Sequence, residues 1–133
     1  MNLTKLKQHD IPVYGDTTYR GDCPSEMAEQ VSFLAQLKLE FHELWEVAVH
    51  IENEGKRSDA ARKKQQGMRT GASDIVIPCC PPILIELKRK DNTQSSISGE
   101  QIAYLVRAKR LGAFACVSLG AVGAMEAVRA WRK

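Results

Sequence analysis

From Ser25 onward, apolar residues follow two different spacings along the chain. Met27, Val31, Leu34, Leu37, Phe41 and Leu44 recur every three or four positions, which predicts a helix of about five turns with one apolar stripe. Ser25 ahead of it is a good N-cap, and Glu26 and Glu29 fall in the first turn, where carboxylates meet the positive end of the helix dipole. Within Trp45–Ile51 the spacing shortens to two, with Val47, Val49 and Ile51 alternating, and this predicts a strand. Asp74-Ile75-Val76-Ile77 and Ile83-Leu84-Ile85-Glu86-Leu87-Lys88 are β-rich runs joined by Pro78-Cys79-Cys80-Pro81-Pro82. The prolines can turn but cannot extend a ladder, so a hairpin is expected. Ser98 with Gln101 three residues on forms a capping-box pattern, and Ile102, Leu105 and Val106 give the helix it opens an inner face. Ala113–Leu119 reads as a strand, Gly120–Gly123 as a turn and Ala124–Trp131 as a closing helix.

Two stretches lack such periodicity. Residues 1–24, with Pro12, Gly15, Gly21 and Pro24, read as an N-terminal extension, an extended arm or irregular lead-in, leaving 25–133 as the domain. Asn53–Arg69 is polar and strongly basic, an exposed loop with a short helix around Asp59–Gln66. The order αβββαβα predicts an α/β fold, a small mixed β-sheet flanked by helices.

Composition narrows the class. A chain of 133 residues with 44% hydrophobic and 26% charged residues suits a single soluble domain. No apolar run approaches the roughly 18 residues of a membrane span. The opening residues carry no apolar segment behind their charges, so no signal peptide is expected and a cytoplasmic location is the default. Cys23, Cys79, Cys80 and Cys116 lack the spacing of a zinc site and read as structural thiols. The net charge of +3 conceals a strong asymmetry. Residues 1–54 carry 4 Lys/Arg against 10 Asp/Glu, a balance of −6, and residues 55–133 carry 15 against 6, a balance of +9. The basic part suits a polyanion, because cationic side chains release condensed counterions when they bind phosphate backbones.

The candidate chemistry lies in that basic part. Glu86 and Lys88, two apart in a strand, leave the same face. If Asp74 begins the partner strand of the hairpin, its carboxylate reaches the same point. Two carboxylates and a strand carbonyl would offer hard oxygen ligands to Mg²⁺ or Mn²⁺. A phosphodiester repels hydroxide unless a cation screens it, and Lys88 would hold the nucleophilic water as it loses its proton. Taken alone, Glu-x-Lys in a strand reads more readily as a surface ion pair.

The wider pattern resembles the VRR-NUC family (virus-type replication-repair nucleases) of the PD-(D/E)xK superfamily. Its parts are Ser25-Glu26 with Gln30, then His50-Ile51-Glu52-Asn53-Glu54-Gly55-Lys56-Arg57, then Gly67-Met68-Arg69-Thr70-Gly71-Ala72-Ser73-Asp74, then Ile85-Glu86-Leu87-Lys88-Arg89, and Gln101 after a polar loop. The resemblance implies a restriction-endonuclease-like core with Asp74 and Glu86 as metal ligands and Lys88 as the catalytic lysine. It also implies active-site roles for Gln101, which doubles as a capping residue, and for a glutamate of the first helix. Glu26 is chosen over Glu29 because Glu26, Gln30, Phe33 and Leu37 share one stripe. Ser73 stands where the superfamily name has proline.

The expectation is a Mg²⁺- or Mn²⁺-dependent deoxyribonuclease, an endonuclease working as a homodimer. Stand-alone members, typical of phages and prophages, imply branched DNA such as a Holliday junction as substrate. Lys56, Arg57, Arg62, Lys63, Lys64 and Arg69 are the expected phosphate contacts, and His50 is placed near the DNA. The rival reading is a catalytically silent DNA-binding or accessory protein that uses the same fold.

Overall fold

The computed structural model describes residues 1–51 and 71–133. The expected core elements are present. Helix α2 (Glu26–Glu40) and strand β2 (Val49–His50) are followed by the hairpin of β3 (Ile75–Ile77) and β4 (Ile83–Lys88). Helix α4 (Gly99–Arg110), strand β5 (Phe114–Leu119) and helix α5 (Gly120–Arg132) complete the order. A short helix α3 (His42–Val47) intervenes before β2, and helix α1 (Leu3–Gln8) and strand β1 (Val13–Tyr14) precede the rest.

The five strands form one mixed sheet in the order β1-β5-β4-β3-β2. β1 and β4 run parallel to β5, and β3 is antiparallel to both β4 and β2. Helices cover both faces. On one side Phe33 and Leu37 of α2 and Ala124, Met125 and Val128 of α5 pack on Ile75, Ile77, Ile83, Ile85 and Leu87. On the other, Leu6, Ile11, Ile102 and Leu105 cover Leu84, Ala115 and Val117. β4 is therefore buried along its whole length. Such a strand is expected to be continuously apolar, and Glu86 and Lys88 break that rule.

Four expectations are corrected. Residues 1–24 are not an irregular arm. α1 is capped by Asn2, whose Oδ1 accepts from Lys5 N, and β1 pairs in register with β5 while Leu6 and Ile11 are buried. These elements were missed because one turn and a half of helix and a two-residue strand are too short to show a period. Second, the first helix stops at Phe41, and the chain bends into α3, so that Phe41, Leu44 and Trp45 stay against the core. Third, that packing makes helix of Trp45–Val47 and leaves only Val49–His50 as strand. Fourth, Gly120–Gly123 is the first turn of α5, with no loop before it. Gly120 adopts φ +69, which carries the chain directly from strand to helix and favours glycine. A Cβ there would also strike the Glu29 carboxylate.

Candidate active site

The hairpin register brings the first two carboxylates together. Ile75 faces Ile85 and Val76 faces Leu84, so one step further Asp74 stands across from Glu86. Both then lie on the same sheet face as Leu84, toward α4. Asp74 Oδ2 is fixed by accepting from Leu87 N at 2.9 Å. Lys88 follows Glu86 on that face, and its Nζ lies 3.5 Å from Glu86 Oε1. Glu86 and Lys88 are only 1% and 5% exposed.

Gln101 joins the strand groups to α4. Its Nε2 donates to Glu86 Oε1 at 2.9 Å, and its Oε1 accepts from Ser98 N at 2.9 Å and faces Lys88 Nζ at 3.5 Å. Ser98 Oγ in turn accepts from Gln101 N at 3.1 Å, which completes the capping box. The orientation of the amide follows from its neighbours, since reversing it would point its NH₂ at two donors. Capping and site contact are thus combined in one side chain. Gly71 (φ +78) lets the chain pass close to this helix start, where a Cβ would come within 2.6 Å of the Glu100 carbonyl.

Electrostatically the centre is under strain. Burial raises the Glu86 carboxyl to about 9, with repulsion from Asp74 adding to it and Lys88 opposing. Burial also raises Asp74, partly offset by the Leu87 N–H. Both carboxyls are thus held above their ordinary range, and ionising one opposes ionising the other. Glu86 Oε2 is buried and has no hydrogen-bond partner. A buried acceptor left unsatisfied is costly, and a cation would satisfy it. Among the described residues no group of three His, Cys, Asp or Glu is gathered for metal binding. Asp74 and Glu86 are the paired carboxyl groups that could hold a cation here.

The remaining wall comes from α2 and the end of β2. Asp74, Glu86, Lys88, Gln101 and Glu26 all line one cavity of about 520 Å³. Glu26 Oε1 accepts from Ser95 Oγ at 3.2 Å, whereas Glu29 Oε2 accepts from Ala121 N at 3.2 Å and caps α5. The geometry therefore separates the two glutamates, with Glu26 at the cleft and Glu29 on the core side. His50 lines the same cavity and its Nδ1 lies 3.2 Å from the Asp74 carbonyl oxygen. A second hollow of about 680 Å³ shares Glu26, Lys88 and Gln101 and runs on past Ser95, Ser96 and Ser98. Lys56, Arg57, Arg62, Lys63, Lys64 and Arg69 lie outside the described residues.

Sequence reasoning missed the support behind Glu26. Arg89 N donates to Ser95 Oγ at 2.9 Å, and the Arg89 guanidinium reaches the carbonyls of Cys23 (2.7 Å) and Pro24 (3.2 Å). Asp91 accepts from Gly21 N at 3.0 Å and from both the N–H and hydroxyl of Thr93. Those bonds, the Thr93 hydroxyl first, hold its carboxyl well below the usual range. Asn92 Nδ2 donates to the Thr17 carbonyl at 2.9 Å. The segment around residues 17–24 is thereby strapped to the loop after β4, which sets Ser25 and Glu26 at the cleft. Polar residues in a loop carry no periodic signal of such pairing. Met27 and Val31, expected on the apolar stripe of the helix, are instead exposed at the cavity mouth.

No helix among the described residues is long and apolar enough to cross a membrane. No family model matches the sequence, and no curated protein matches it. The coordinates superpose on the solved structure of a VRR_NUC domain protein with a TM-score of 0.67 and 17% sequence identity, covering 85% of this chain and 90% of that one. The protein thus has the fold of a VRR_NUC domain, a five-stranded mixed sheet with helices on both faces.

Proposed function

We propose that this protein is a Mg²⁺- or Mn²⁺-dependent DNA endonuclease with Asp74, Glu86 and Lys88 at its centre. The observation that supports it best is the convergence of these three groups in one cavity, with a buried Glu86 oxygen that no protein group satisfies. Both carboxyls are raised by burial, and a cation held between them would favour their ionised form. Hard carboxylate oxygens suit Mg²⁺ and Mn²⁺, and Mg²⁺ is commonly held by one or two carboxylates with water and substrate phosphate completing its shell. Asp74 and Glu86 would hold it. When bound, the cation supplies charge that offsets the phosphodiester and lowers the pKa of water.

The chain's own groups do the rest. Lys88 Nζ, set between Glu86 Oε1 and Gln101 Oε1, points a remaining N–H at the attacking oxygen and stabilises it as its proton leaves. Gln101 fixes Glu86 and Lys88 relative to each other. Glu26, on the opposite wall, accepts a proton or orders water near the scissile phosphate. DNA is the polyanion that the +9 balance of residues 55–133 fits.

Branched DNA is the proposed substrate and a homodimer the proposed acting form, because paired incisions at a symmetric branch require two copies of a one-site chain. Cleavage of matched linear, flap, fork and four-way substrates tests this, with preferred and paired cuts on the branched molecules as the expected result. Equal cutting of all four would remove the branch preference. An absence of cutting with either cation would favour the silent binding-protein reading.

A further inference from the structure

Met27, Val31 and Leu39 are the exposed apolar residues of α2, and of these Met27 and Val31 line a cavity. They sit one turn apart on one helix face, 77% and 66% exposed, while Phe33 and Leu37 supply the buried face. Both line the cavity that holds Asp74, Glu86, Lys88 and Gln101. The α2 wall of the candidate centre is therefore mixed, with Met27 and Val31 set beside Glu26 and Gln30.

Apolar side chains that line a polar cavity offer a ligand a contact that the ionic groups cannot. A second copy seated on them would close the mouth and shut substrate away from the carboxylates. A phosphate gains nothing from methionine or valine. A nucleobase or sugar does, because its apolar face loses water on contact. In an intact duplex the base faces are already covered by their stacking neighbours. A base lifted out of the stack exposes its face, and methionine is among the side chains that act as wedges between unstacked steps. We propose that Met27 and Val31 form a base-receiving wall, so that the nucleotide beside the bound phosphate is held unstacked. This inference rests on the nuclease reading for the position of the phosphate, and it gives a physical basis for preferring branched DNA, where unstacking is least costly.

A chemical double-mutant cycle tests it. Fluorescence anisotropy in Ca²⁺ gives the affinity of the wild-type protein for a fork carrying one abasic site, moved a nucleotide at a time across the branch. At one position loss of the base should weaken binding about tenfold, the scale of burying part of a base face against apolar side chains. Met27→Ser with Val31→Ser, both at exposed positions, should erase that position dependence, with circular dichroism confirming the fold. A flat wild-type profile, or an unchanged profile in the double variant, overturns the proposal. So does sedimentation showing that the double variant merely splits a dimer, since that makes the pair a subunit contact. Cleavage in Mg²⁺ or Mn²⁺ is scored separately. A position-dependent profile without cleavage would defeat the nuclease reading and leave the wall standing, and cleavage with a flat profile would do the reverse.

Discussion

Replacing Glu86 by glutamine should make the cation-free protein more stable at neutral and alkaline pH. Glu86 is 1% exposed, and burial lifts its carboxyl from the ordinary 4.5 to about 9. The folded form therefore keeps a proton that the unfolded chain releases above pH 4.5. A raised carboxyl contributes stability fully below the unfolded value, and that contribution is lost as pH rises toward the folded value. The window runs from about 4.5 to about 9. At about 1.4 kcal/mol per pH unit, the loss by pH 7 is on the order of 3 kcal/mol.

Glutamine keeps the shape and removes the ionisation. Its oxygen can accept from Gln101 Nε2, as Glu86 Oε1 does, and its NH₂ replaces the partnerless Oε2. Urea unfolding in EDTA at pH 5, 6, 7 and 8 gives the difference in stability between Glu86→Gln and wild type. That difference should be small at pH 5 and grow by about 1 kcal/mol or more per unit above it. Mg²⁺ or Mn²⁺ should narrow it by stabilising the wild type alone. A difference that does not change with pH, or a variant less stable than wild type at pH 8, would refute the assignment of Glu86 as a buried, strained carboxyl.

Other parts of the account carry their own tests. Gln101→Ala removes the side-chain half of the α4 capping box and the contact with Glu86 but keeps the Ser98 cap, so thermal unfolding should show a loss of about 1 kcal/mol and single-turnover cleavage a drop of at least tenfold; unchanged cleavage would reduce Gln101 to a part of the capping box. Gly120→Ala, placed at φ +69 and against Glu29, should cost about 1–2 kcal/mol or more in a denaturant titration, and a neutral result would contradict the direct strand-to-helix junction. Asp91→Ala should speed hydrogen exchange and proteolysis in residues 17–24 before any change at β3 and β4, because it frees Gly21 and Thr93. For DNA, log affinity should fall linearly with log salt, and Lys63→Ala with Lys64→Ala should reduce the slope by about 2; an unaltered slope would exclude those lysines as phosphate contacts.

The sequence carried the convergence of the candidate residues more clearly than the scaffold around them. Asp74, Glu86 and Lys88 were legible because a polar pair stands in a run of isoleucines and leucines, and a hairpin between prolines fixes which carboxylate can meet them. Ser98 and Gln101 were legible because a capping box has a fixed spacing, and the same spacing aims the glutamine at Glu86. Helical periodicity misled at Met27 and Val31, since apolar spacing reports which residues share a face and not what covers that face. The strap from Thr17 to Pro24 was invisible because it depends on hydrogen bonds to Arg89, Asp91 and Asn92, some 65–75 residues away in sequence. Nor could spacing show that Glu29 turns to the start of α5 while Glu26 turns to Ser95. The stripe shared with Gln30, Phe33 and Leu37 already set Glu26 apart from Glu29, and only the packing of α5 shows what Glu29 meets.

The most direct test of the central claim is single-turnover cleavage of a labelled branched DNA by the wild type and by Asp74→Ala, Glu86→Ala and Lys88→Ala, each with Mg²⁺, Mn²⁺ or EDTA and with DNA affinity measured alongside. The account predicts cutting by the wild type with either cation and none in EDTA. It predicts a loss of at least a hundredfold in each variant, and an affinity for Lys88→Ala close to that of the wild type. Undiminished cutting by any of the three variants, or cutting by the wild type that survives EDTA, would contradict it.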